Sequence, residues 1–230
     1  PKVVRALGPT ATGPPDVVIP EFGPEDPAGW AVRAALADGL LRILTHDPGT
    51  RIGSDESLHQ LRVAVRRVRS DLRTLRSLLS PGWAPSLQAD LGRLADRLGA
   101  VRDLDVLLAR LESSHGDLAT PLEPMLNDLR QRRIAARGVL LAELRSERYA
   151  HLLEHMVVLA RDPKLNPPGL ESAGAVLPTL AAAAWRRLEQ RAAAKGLVGD
   201  EGEHELDFGL QLVANMAGHR GHRAFGVGIG

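Results

Sequence analysis

His59, Arg62, Arg66, Arg69, Arg73 and Arg76 recur along the chain at steps of 3, 4, 3, 4 and 3. On a helix turning about 100° per residue, this spacing gathers all six side chains into an arc of about 100°. At about 1.5 Å of rise per residue the row would be about 26 Å long. Leu61, Val65, Val68, Leu72, Leu75 and Leu79 form a second stripe about 110° away, suited to a core. Between Ser57 and Leu79 the only acid is Asp71. A solvated helix face usually interleaves acids and bases at i, i+4, and like charges there cost about 0.2–0.5 kcal/mol each. A helix that accepts this cost repeatedly is suited to meeting anions. The competing reading is a surface face answered by carboxylates from neighbouring helices.

The kind of cation points the same way. All of the 29 basic residues are arginine except Lys2, Lys164 and Lys195. A guanidinium is a planar fork that grips a phosphate through two donors, where an ammonium is a point charge. An arginine-rich composition also arises in proteins rich in Ala, Gly and Pro, as this one is, so position carries the argument rather than number. The net charge of +1 by itself selects no partner. Two further helical faces echo the first. Arg130, Arg133 and Arg137 share a face, with Arg132 beside them, and Arg187, Arg191 and Lys195 follow one another at i, i+4 after Trp185-Arg186. Three such faces in one bundle could converge on a shared basic cavity, which focuses field more strongly than an open patch.

The elements that must position these residues are helical. The periodicity predicts helices over 28–46, 55–80, 84–113, 120–145, 147–161, 174–196 and, more weakly, 203–217, with no period-two runs. Ser54-Asp55 is placed to cap the second helix, and Ser80-Pro81-Gly82 to stop it. The prolines of Asp162-Pro163 through Pro167-Pro168-Gly169 separate two helical groups. An all-α helical bundle follows. Residues 1–27 are a Pro/Gly-rich linker or the tail of a preceding domain, 28–217 the helical domain and 218–230 a Gly-rich tail. The stretch from Ala31 to Leu44 is broken by Arg33, Asp38 and Arg42 and is an amphipathic helix rather than a membrane span. There is no cysteine, which removes disulfides and thiolate metal sites and fits a cytosolic protein. The chain opens Pro1-Lys2-Val3-Val4-Arg5, without an initiator Met or a signal-like apolar core, and is expected to be a piece of a longer protein.

His59-x-x-Arg62-Val63-x-x-Arg66-Arg67-x-Arg69 resembles the signature of the CHAD domain, the conserved-histidine α-helical domain. Leu98-Gly99-Ala100-Val101-Arg102-Asp103-Leu104-Asp105-Val106 is similar to the second hallmark of that family, and the resemblance runs from about Gly29 to Glu205. It implies two four-helix-bundle halves related by a pseudo-twofold, around a basic channel that binds inorganic polyphosphate. It also implies that His59, Arg62, Arg66, Arg67 and Arg69 line the channel, with Arg102 beside them and Asp103 orienting an arginine. Lys2-Val3-Val4-Arg5-Ala6-Leu7-Gly8 looks like the tail of a triphosphate-tunnel (CYTH) domain, which often precedes a CHAD domain. The second half departs from the family pattern. His204-Glu205-Leu206 begins it, but Asp207 stands where arginine is expected and no cation follows until Arg220, so this half is expected to be incomplete.

Taken together, the expected function is non-catalytic binding of polyphosphate in the cytoplasm, at polyphosphate granules, with no cofactor and no metal. His59 would donate to a phosphate oxygen, and the bound anion would favour its protonated form. His151-Leu152-Leu153-Glu154-His155 fits the inverted zinc-protease pattern, but the third ligand such a site needs would have to come from Glu203 or Glu205. Nucleic acid is the stronger rival, since it offers the same phosphates. Single-strand binders add aromatic platforms, and none of Phe22, Phe208, Phe225, Trp30, Trp83, Trp185 or Tyr149 lies within the arginine stripe. A structural scaffold at granules is the third option.

Overall fold

The computed structural model describes residues 17–82, 84–114 and 119–195. They form α1 (Gly29–Ile52), α2 (Asp55–Thr74), a 3-10 turn (Arg76–Leu78), α3 (Ala84–Ser114), α4 (Ala119–Leu144), α5 (Glu147–Arg161), α6 (Pro167–Leu170) and α7 (Ala173–Lys195). The all-α expectation holds. The weak helix expected over 203–217 and the Gly-rich tail lie outside the described residues, as does most of the second half that the family pattern implies.

α2 is the hinge of the packing: α1 lies along one side of it and α3 along the other, α4 packs on α3, and α5 closes the bundle against α1. One core runs through all of these helices, including every member of the predicted apolar stripe of α2. A second, smaller cluster of Leu108, Leu126 and Leu129 joins the last turns of α3 to the first turns of α4. At the α1–α2 crossing the backbone comes so close that a Cβ on Gly39 would stand 2.0 Å from Val68 Cγ2. Glycine at that position lets the two helices meet, and so fixes how α2 lies on the core.

The ends of α1 and α2 differ from the sequence expectation. α1 continues through Pro48 to Ile52, although an internal proline removes a main-chain donor and costs about 3 kcal/mol. The extra turns are tied down: Arg51 hydrogen-bonds Asp47 at 2.7 and 3.1 Å and also donates to the Leu144 carbonyl. Gly53, at φ +105°, then ends the helix in the left-handed region. α2 stops at Thr74 rather than at residue 80, and the chain tightens into the 3-10 turn, so Arg76 lies beyond the α-helical rod. The 3-10 turn is followed by pairing between Leu79 and Leu165, with Asn166 N–H donating to the Leu78 carbonyl at 2.8 Å. The proline-rich segment 163–170 is therefore not only a break, because it holds the end of the stripe and forms the short α6.

Residues 17–27 contain no helix, but they are packed. Val17 and Phe22 are buried in the main core. Main-chain bonds from Ala28 to Glu171, from Ala173 to Asp26 and from Gly174 to Pro24, at 2.7–2.8 Å, strap this segment to the start of α7.

Candidate functional site

The arginine helix starts where the sequence places it. Ser54 Oγ accepts from the Ser57 N–H at 3.1 Å, and Asp55 and Glu56 sit in the first turn, where negative charge complements the exposed N–H groups. Leu61, Val65, Val68, Leu72, Leu75 and Leu79 are all buried, which turns the opposite stripe outward. His59, Arg62, Arg66 and Arg69 are half-buried, and Arg73 and Arg76 are exposed. Arg67, which the family resemblance places along the channel, is more enclosed than the stripe residues. It is only 8% exposed, because one residue beyond Arg66 is a rotation of about 100°, towards the side of Ala64 and Val68.

α3 runs antiparallel to this face and meets it with glycine. A Cβ on Gly99 would lie 4.0 Å from Arg62 Nε. One on Gly92 would lie 3.6, 3.8 and 4.0 Å from Nη2, Cζ and Nε of Arg69. Three atoms of one guanidinium at nearly equal distance from that point place the group over the space that glycine leaves on α3. Arg62 and Arg69 are seven residues apart, as are Gly92 and Gly99, so the two helices match each other over two turns. Sequence reasoning met Gly99 only as part of the family motif and missed Gly92. The signal was present as two glycines at heptad spacing inside an otherwise unbroken helical pattern, where each costs about 1 kcal/mol relative to alanine.

The charge around the stripe is uneven. Arg62 Nη2 lies 3.7 Å from Asp103 Oδ1, too far for a hydrogen bond. Among the described residues no hydrogen bond or ion pair engages Arg69, Arg76 or Arg102.

The α4 face is different. Arg130 pairs with Glu112 at 2.8 Å and Glu123 at 2.9 Å, and these hydrogen bonds, first to Glu112 and then to Glu123, raise its already high pKa. Arg133 bridges Asp105 and Asp55, the latter at 3.2 Å, and Arg132 pairs with Asp128 at 2.8 Å. Arg137 donates to the Thr50 carbonyl at 3.3 Å, at the end of α1. The expectation that 130, 133 and 137 form a cationic face like that of α2 is corrected: for this helix, carboxylates and main-chain carbonyls answer the arginines. Arg133 and Arg137 instead clasp the corner from which α2 begins.

α7 touches α2. On it Arg187 is exposed, and the side chains of Arg191 and Lys195 lie outside the described ones. His151, Glu154 and His155 lie on α5, with His151 beside Asp90, Glu143 and Glu147 in an open hollow that no stripe residue lines. Among the described residues no group of three or more His, Asp or Glu side chains is arranged to hold a metal ion. No helix there is long and apolar enough to cross a membrane.

The sequence profile of the CHAD domain matches residues 34–207. The chain belongs to the CHAD family. It is 31% identical over 226 residues to the uncharacterised proteins Rv2226 and MT2285 of two Mycobacterium tuberculosis strains. The match covers 94% of this chain and 42% of each relative, so the chain spans about two fifths of their length. Its fold is similar to the crystal structure of the CHAD domain from the plant Ricinus communis, with a TM-score of 0.62 and 26% identity over 89% of this chain and 69% of that one. PptA from Streptomyces chartreusis shares the fold, with a TM-score of 0.61 and 24% identity over 83% of this chain and 74% of its own.

Proposed function

We propose that this CHAD domain binds inorganic polyphosphate along the α2–α3 face and catalyses no reaction. The observation that carries the reading is the row of arginines on α2, two of which lie over Gly92 and Gly99 of α3. A linear polyanion laid along this row meets guanidinium edges at helical intervals, each able to make charge-assisted hydrogen bonds to successive phosphates. The half-burial of His59 through Arg69 strengthens each contact relative to a fully solvated side chain.

Polyphosphate is favoured over nucleic acid because the stripe has no aromatic residue on which a base could stack. The test is displacement of bound labelled long-chain polyphosphate. Unlabelled polyphosphate displaces it, and single-stranded DNA at the same total phosphate concentration does so far more weakly. Equal displacement by the two polymers would overturn the preference for polyphosphate.

A further inference from the structure

Gly92 and Gly99 are the only glycines of α3, and each stands where a guanidinium of α2 arrives. An added Cβ on Gly92 would have Arg69 Nη2, Cζ and Nε as its nearest neighbours, and one on Gly99 would have Arg62 Nε alone within 4 Å. Gly39 differs, because there the added atom would meet the buried side chain of Val68, so that glycine serves packing. At Gly92 and Gly99 the nearest neighbour is the far end of a flexible side chain, which can move aside. Glycine in a helix interior is less stable than alanine, so helix stability alone argues against both. Ala95 lies between them on the same face of α3, at +3 and −4, and is 9% exposed. Over two turns, about 10 Å, this face therefore carries nothing longer than a methyl group. Arg62 and Arg69 are half-buried beside it.

We infer that Gly92 and Gly99 are positioning residues: by omitting side chains they let Arg69 and Arg62 lie back against α3, recessed to a depth that a bare phosphate chain reaches and a base-bearing chain does not. The inference rests on the polyphosphate reading above and adds to it the residues that set its selectivity. In polyphosphate every unit is a phosphate, so successive anions follow a slim chain into the space between the helices. In single-stranded nucleic acid the phosphates are separated by sugars that carry bases, and these hold the chain away from a recessed donor. An exposed arginine such as Arg76 is within reach of either polymer. A longer side chain at 92 or 99 takes the space that the guanidinium holds and turns that group out towards solvent.

The test measures affinity for long-chain polyphosphate and for single-stranded DNA, together with Tm, for the unaltered protein, Gly92→Leu, Gly99→Leu and the control Gly138→Leu. Gly138 is on α4, with nothing within 4 Å of an added Cβ. Gly92→Leu and Gly99→Leu each weaken polyphosphate by about tenfold or more, the value of a lost charged hydrogen bond. They do not weaken DNA, so the preference between the two polymers narrows. Tm does not fall, because leucine is a good helix former and the arginine swings aside. Gly138→Leu leaves both affinities unchanged. Gly92→Met and Gly99→Met serve as second versions should leucine lower Tm, and if methionine lowers it too, the glycines serve packing and the inference is overturned. It is also overturned, while the polyphosphate reading stands, if the Gly92 and Gly99 variants bind polyphosphate as tightly as the unaltered protein or weaken both polymers by the same factor. If the unaltered protein does not bind polyphosphate, both fall.

Discussion

Tyr149 is the only tyrosine of the chain, and it is 3% exposed at the contact between α5 and the end of α1. Burial raises its pKa well above the ordinary tyrosine value, the Asp47 carboxylate raises it further, and Arg51, 5.8 Å from the ring centroid, works against the rise. A folded-state pKa raised above the unfolded value contributes stability that is complete below the unfolded value of about 10 and is lost as pH rises beyond it. Ultraviolet titration should therefore show no tyrosinate at pH 10.5 while the protein is folded. Tyrosinate should appear together with the loss of helicity, and Tyr149→Phe should make the molecule less sensitive to alkali. A tyrosinate signal from fully helical protein near pH 10 would contradict this assignment. The stripe on α2 was legible at the same scale because cations at steps of three and four declare a helix face. The α4 arginines looked similar in the sequence, but Glu112, Asp105 and Asp55 reach them from other helices, and no one-dimensional pattern shows that.

α2 depends on its start and on its seat. Ser54→Ala removes the cap on Ser57 N–H and should cost about 1 kcal/mol in denaturant unfolding. Gly39→Ala would place a methyl 2.0 Å from Val68 Cγ2. The overpacking, about 1–3 kcal/mol, outweighs the helix propensity gained, about 1 kcal/mol. Val68→Ala in the same chain should recover part of the loss, a coupling that a double-mutant cycle measures; additive effects would mean that the crossing is looser than described. The start of α2 was legible because Ser-Asp before a helical pattern is a local signal. The passage of α1 through Pro48 and the early end of α2 at Thr74 were not, because distant partners settle them: Leu144 receives Arg51, and Leu165 and Asn166 pair with the residues after the 3-10 turn.

For the molecule as a whole, a net charge of +1 hides an uneven distribution, because α2 carries Arg62, Arg66, Arg67, Arg69 and Arg73 against Asp55, Glu56 and Asp71. Binding to a polyanion should therefore fall steeply as salt is raised, because each phosphate neutralised releases a counterion. A flat salt response would contradict phosphate contacts as the source of affinity. The helical class was legible from periodicity, and the packing of residues 17–27 was not, since it comes from main-chain bonds to a segment about 150 residues further on. The central claim is tested most directly by titrating long-chain polyphosphate into the variant with Arg62, Arg66 and Arg69 all replaced by alanine, with circular dichroism recorded on the same sample. Loss of measurable binding with helicity unchanged is the predicted result, and binding as tight as that of the unaltered protein would contradict it.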